Sequence, residues 1–192
     1  MNNQKPHYKK ENEHYLVEIK LNEIRQLFNS FDPAPFRQKD LEASAEDYIV
    51  DSVEELPVDT QVKLVLYLPA EACADEVTSS AITAIHHYFD YRADITGKTL
   101  RFTLHQGRIA LLIGLTFLVA CLAAQHFIAE MGKSGLLWKF IEEGFLISGW
   151  VAMWRPLDVF LYEWWPIRRR RRVYEKLAAI PIEIRAHPHG HA

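Results

Sequence analysis

Arg155, Pro156 and Asp158 stand inside the apolar segment GFLISGWVAMWRPLDVFLYEWW, Gly144 to Trp165. Ionisable side chains at that depth of a bilayer are costly and mark candidate functional positions. Arg155 and Asp158 are spaced i, i+3, so one helix face carries both, and they can pair. Pro156 removes a backbone hydrogen bond and clashes with the carbonyl of Ala152, which predicts a kink or break. A broken helix beside a charge is a pattern of transporter sites, and equally of a helix that bends to the interface. Gly144, Ser148 and Ala152 follow at i, i+4, i+8, a stripe of small residues that lets another helix approach closely. If a neighbour packs on that stripe, Arg155 faces protein, either pairing with Asp158 or holding an anionic group.

The other candidate groups carry less. His86 and Asp90 are spaced i, i+4 with His87 beside them, but a metal site needs three or four ligands. His187, His189 and His191 crowd the stretch HPHGHA, which is read as a disordered end. Cys73 and Cys121 form no CxxC pair. Phosphate-loop, nucleophile-elbow and HExxH spacings are not found, so the expectation is a protein that is not an enzyme, without cofactor or metal. Arg168, Arg169, Arg170, Arg171 and Arg172 form a basic run that anchors topology and attracts anionic lipid at about 1 kcal/mol per residue. A nucleic-acid role is not expected, because the run beside an apolar segment is already explained.

Two membrane segments must position these groups. Ile109 to Ile128, IALLIGLTFLVACLAAQHFI, is twenty residues without a formal charge, about 30 Å of helix and enough to cross the hydrocarbon core. The second span is placed at 144–165, where each central Arg or Asp costs roughly 2.5–3.5 kcal/mol against about −0.3 to −0.6 for each large apolar residue. A rival placement starts near Leu136 and ends near Trp154, lays 156–165 along the surface, and must bury Lys139, Glu142 and Glu143. Arg92, Lys98, Arg101 and Arg108 precede the first span, and the five arginines with Lys176 follow the second. That distribution puts both termini in the cytoplasm, with the connector 129–143 outside.

The remaining sequence reads as a small α/β unit in the order β-α-β-α, with the chain helix-dominated overall. YLVEIKL, 15–21, alternates as a half-buried strand. Residues 40–56 carry apolar positions at helical spacing up to Pro57. VKLVLYL, 62–68, is a second strand, and a helix from Asp75 can run, with a weak point at Gly97, into the first span. Residues 1–14 are expected to be disordered, 15–107 to form the cytosolic domain, 108–166 the transmembrane hairpin, and 167–192 a basic cytosolic tail. Two strands and one covering helix make too little core, which predicts a homodimer or higher homo-oligomer. The net charge of −3 averages an acidic helix and a basic C-terminal stretch.

The strings GWVAMWRP (149–156) and YEWWPIRRRRRVYEKLA (162–178) resemble those of small, uncharacterised bacterial proteins with two spans and a cytosolic N-terminal domain. The resemblance implies a bacterial inner (cytoplasmic) membrane and no activity. The resulting expectation is an oligomeric scaffold, assembly or sensing component in the lipid bilayer. Its alternative is a channel or transporter subunit with Arg155 and Asp158 lining a pathway, and a membrane-anchored enzyme is third.

Overall fold

In the computed structural model, residues 8–57, 60–72, 75–131 and 135–187 are described. They divide into two compact units. One holds the residues up to Ile95 together with those from Arg171; the other is Thr96–Arg170.

The first unit is built on a four-stranded mixed sheet in the order β1-β2-β3-β4. Its strands are β1 (Lys10–Glu11), β2 (His14–Lys20), β3 (Val62–Pro69) and β4 (Ile182–His187). The β2–β3 pair is parallel, with Val17 beside Leu64 and Ile19 beside Leu66. The crossover between them is α1 (Ala43–Glu54), as a strand–helix–strand unit requires. α1 ends ahead of Pro57, and helix α2 (Asp75–Glu130) starts beyond a short turn at Ala70–Ala72.

Period-two alternation decides which side chains enter the core. Val17, Val62, Leu64, Leu66 and Leu68 project from one sheet face. Ile49, Val50 and Val53 of α1 and Ala81, Ile85 and Phe89 of α2 meet them at helical spacing. Each large apolar side chain fully buried there contributes about 1.5–3 kcal/mol.

Two parts of the sequence expectation are corrected. The order β-α-β-α lacks β1 and β4. β1 arises inside the segment read as disordered, through a tight turn with Asn12 and Glu13 at positive φ. β4 arises inside the segment read as a basic tail and pairs parallel to β3, with Leu64 beside Ile182 and Leu66 beside Ile184. Tyr174, Leu177 and Ile180 are buried in the same core. The thin-core argument for an oligomer therefore loses its premise, because the chain itself supplies the missing strand and the covering side chains.

The opposite sheet face carries a lattice of charges. Glu183 pairs with Lys63 and Arg185, Arg185 reaches Glu11 at 2.6 Å, and Tyr67 donates to Glu18 at 2.8 Å. Leu16 and Val65 lie buried on that face. Hydrogen bonds from Arg185 and Lys63 outweigh desolvation and hold the Glu183 carboxyl at about 2, against an ordinary 4.5. A depressed carboxyl stabilises the fold fully above 4.5 and loses that contribution as pH falls toward 2. Solvent screens a side chain 38 % exposed, so the effect is modest. The thermal midpoint should fall between about pH 6 and about pH 3, and Glu183→Gln should reduce that fall; an undiminished fall would remove Glu183 from the account.

The second unit contains the membrane-length part of α2. The helix is 56 residues, unbroken at Gly97, and about 84 Å long. An 18-residue window has mean hydropathy 2.2 and is only 17 % buried. By length and composition α2 is long and apolar enough to cross a membrane. The stretch 144–165 is not a single regular helix. It is divided among α3 (Leu136–Ala152), α4 (Trp154–Asp158), one wide π-helical turn (Val159–Glu163) and the start of α5 (Trp164–Leu177).

Candidate functional sites

The break falls at Met153, three residues before Pro156. Pro156 has no N–H to give the carbonyl of Ala152, which is the acceptor it would have used in a continuous helix. That carbonyl leans on α2 instead: a β-carbon on Gly114 would sit 2.8 Å from it. Two other glycines mark the same seam. A β-carbon on Gly107 would meet Val159 at 2.7 Å, and one on Gly149 would meet Leu118 at 2.8 Å and Cys121 at 3.3 Å. Gly107, Gly114 and Cys121 are buried at i, i+7, i+14 on α2, and Gly149 and Pro156 are buried seven apart opposite them. The contacts run in opposite directions along the two segments, as in close antiparallel helix packing on small residues.

The predicted stripe occupies a different face. A β-carbon on Gly144 would meet no atom within 4 Å, Ser148 is exposed, and only Ala152 borders the seam. Arg155 and Asp158 do come together, at 3.5 Å. The closer partner is Glu163, which takes Arg155 in a two-pronged pair whose second bond is 3.3 Å. In a straight α-helix residues eight apart are separated by about 12 Å along the axis; the π turn between them changes that spacing. π turns recur at functional sites, which gives the local geometry its interest. The guanidinium is thus matched by two carboxylates from its own segment.

Arg168 stacks over the Trp164 ring at 5.6 Å, and the Trp164 indole donates to the Phe160 carbonyl at 2.7 Å. Arg171 Nε lies 2.8 Å from Glu175 as an ion pair without hydrogen-bond alignment. Arg169 and Arg170 lie on the same helix, α5. Arg172 faces an open cavity of about 620 Å³ shared with His14, Gln61, Lys176 and Pro181. His86 bonds to the Ile180 carbonyl at 2.9 Å, a structural tie to the turn before β4. His87 borders a smaller cavity with Asp32 and Asp40. Among the described residues, no group of three or more His, Cys, Asp or Glu could hold a metal ion. Cys121 is buried and unbridged. Cys73, His189, His191 and the His187 side chain lie outside the described residues.

One buried acid was not singled out from sequence. Glu46 on α1 is 7 % exposed. It accepts from Tyr88 at 2.5 Å and Tyr174 at 2.7 Å, and pairs with Arg92 at 2.7 Å. Arg92 also donates to the Tyr174 hydroxyl at 3.2 Å and lies over its ring at 5.4 Å. Burial pushes the Glu46 carboxyl up, but hydrogen bonds from both tyrosines and Arg92 outweigh it, and the carboxyl stays below its ordinary value. Burial and the Glu46 hydrogen bond both push the Tyr88 hydroxyl up, so it remains protonated and donating. Burial lowers Arg92, but Glu46 and Tyr174 hold it above its ordinary value. The signal was present in the pattern: Glu46, Ile49, Val50 and Val53 share the inward face, where an acid is out of place unless paired.

The node is chemically saturated. It joins α1 to α2 and α5, the two helices that continue into the second unit. Its chemistry is that of a clamp. Comparison with protein-family profiles, with curated proteins and with solved structures gives no match to this chain.

Proposed function

We propose that this chain is a two-span membrane protein whose sheet unit stands on the cytoplasmic side and serves as an oligomeric scaffold or sensing component. The observation that supports the reading is the pairing of β4 with β3. Strands from before and after the apolar segments share one sheet, so a chain that crosses the bilayer in α2 must cross back. The crossings are then even in number, and the flanking sequence lies on one side. The Lys and Arg excess beside the sheet unit supports the cytoplasmic side, and the resemblance to bacterial two-span proteins supports an inner membrane.

The transmembrane hairpin of this reading is α2 with α3, joined along the glycine seam. Val159 packs on Gly107, just outside the uncharged run 109–128. Arg155 then lies about 6 Å further in, within the snorkelling reach of its side chain. The ionic group belongs to the cytoplasmic boundary and not to mid-membrane, which favours the placement from Leu136 to about Trp154. Lys139, Glu142 and Glu143 sit toward the opposite face. A guanidinium held by Glu163 and Asp158 is a poor lining for an anion pathway, so scaffold and sensing roles stand ahead of channel roles. The Gly144–Ser148 face, unused among the described residues, is the surface offered to a second copy.

Single-cysteine labelling with a membrane-impermeant thiol reagent tests the topology. Cysteine at Leu136, which is 90 % exposed, should react only from outside the cell. Cysteine at Phe31, 93 % exposed, should react only from the cytoplasmic side. Labelling of both from one side would refute two spans.

A further inference from the structure

We propose that the cavity walled by His14, Gln61, Arg172, Lys176 and Pro181 binds a phosphate group, either a phospholipid headgroup or a free phosphate. Its volume of about 620 Å³ lies within the usual range for small-ligand sites, roughly 300–1,000 Å³. What faces it decides the ligand class. Three backbone acceptors of the wall are engaged by the fold: the Gln61 carbonyl takes Tyr15 N–H at 2.9 Å, Pro181 takes Leu64 N–H at 3.0 Å, and Ile180 takes His86 at 2.9 Å. The polar side chains of the wall are mainly donors, set among the apolar Val62, Ala179, Ile180 and Pro181. Arg172 and Lys176 are spaced i, i+4 on α5 and so present two cations to one face. The Gln61 amide and Thr60 hydroxyl add neutral donors. His14 has Nδ1 engaged by the Asn12 carbonyl at 2.8 Å, which leaves Nε2 as the ring nitrogen with capacity to spare. The acid in the wall, Glu175, lies against Arg171 at 2.8 Å and is matched within α5.

A donor-rich, cation-bearing, open cavity suits a compact anion with several acceptor oxygens, and an arginine fork matches phosphate geometry. The lipid source rests on the two-span reading. Under that reading the arginine run of α5 follows the apolar segments on the cytoplasmic side, where anionic headgroups attract basic residues. The anion chemistry stands without that placement.

Two probes separate the sources. Full-length protein in detergent, stripped of lipid, is titrated with inorganic phosphate by calorimetry. The same protein in nanodiscs is titrated with phosphatidylglycerol and read by native mass spectrometry. Arg172→Gln and Gln61→Glu should each weaken binding of at least one probe by about tenfold or more. Arg169→Gln, outside the cavity wall, should change it less than about twofold. An Arg172-dependent phosphate titration assigns the free anion, and dependence seen with lipid alone assigns the headgroup; both support the site. Equal weakening by Arg169→Gln and Arg172→Gln would mean a diffuse basic surface and overturn it, as would no binding of either probe. Gln61→Glu leaves the arginine run intact, so a folding defect at Arg172 does not protect the proposal. Liposome flotation reads the membrane assignment separately: a chain that floats without Arg172 dependence loses only the phosphate site.

Discussion

Glu46→Ala should unfold the sheet unit more readily than any other single polar substitution in it, by about 3 kcal/mol. The carboxylate is the common acceptor for Tyr88, Tyr174 and Arg92. Its removal takes away the acceptor that Tyr88, Tyr174 and Arg92 share at a buried position, where a lost acceptor is costly. Breaking a fully buried pair costs roughly 3–5 kcal/mol, and the lower end applies because Arg92 retains access to water. The side chain of Arg92 is 35 % exposed and that of Glu46 9 %. For a unit of this size the loss corresponds to roughly 12 °C or more in the thermal midpoint. The midpoint can be read from the temperature at which reconstituted full-length protein loses protease resistance in β4. A shift under about 4 °C, equivalent to about 1 kcal/mol or less, would show that the node is dispensable. Arg92→Met in the Glu46→Ala background should cost less than the sum of the two single changes, because the stranded charge is then gone.

Gly114→Leu should separate the two helical segments of the second unit. The first carbon of any side chain there would stand 2.8 Å from the Ala152 carbonyl, and a backbone atom has nowhere to retreat. Overpacking of this kind costs about 1–3 kcal/mol where the structure can relax. Here the contact is with backbone rather than the end of a flexible side chain, so the upper end is expected. A built-in reporter is available. A β-carbon at Gly149 would lie 3.3 Å from that of Cys121, near the roughly 3.5–4.5 Å that a disulfide spans. Gly149→Cys in a Cys73→Ser background should oxidise to an intrachain bridge with Cys121, seen by intact mass as the loss of two hydrogens. The same background with Gly114→Leu should bridge slowly or not at all. Unchanged bridging would mean that the segments do not depend on contact at Gly114.

Much of this was legible because local patterns and tertiary structure agreed. The alternation in 15–21 and 62–68 and the helical spacing in 40–56 lead to β2, β3 and α1 within a few residues. β4 was missed although Ile182 and Ile184 alternate with Glu183 and Arg185. A short alternation after an arginine run is weak by itself, and its strand character comes from β3 beside it. Arg155 and Asp158 were legible as an i, i+3 pair, whereas Glu163 was not, since eight residues exceed helical reach until a π turn intervenes. The choice of face also escaped the sequence: several small residues populate α3, and only their partners on α2 show that Gly149, not Gly144, lies in the seam. Glu46 was the reverse case. Its misplacement on an apolar stripe was readable, but the donors that explain it come from residues 42, 46 and 128 positions away.

The position of β4 also imposes an order on biosynthesis. β3 leaves the ribosome more than a hundred residues before the strand that completes it. At about 5–20 residues per second that is a delay of roughly 5–20 s. During this interval one edge of β3 is unpaired, and under the proposed two-span topology both apolar segments pass toward the membrane. The sheet can close only after the chain has returned. A failed or inverted insertion would leave β4 on the wrong side, with an open strand edge for proteases to find. Under the proposed topology β4 thus acts as a receipt for correct insertion, issued by the fold itself.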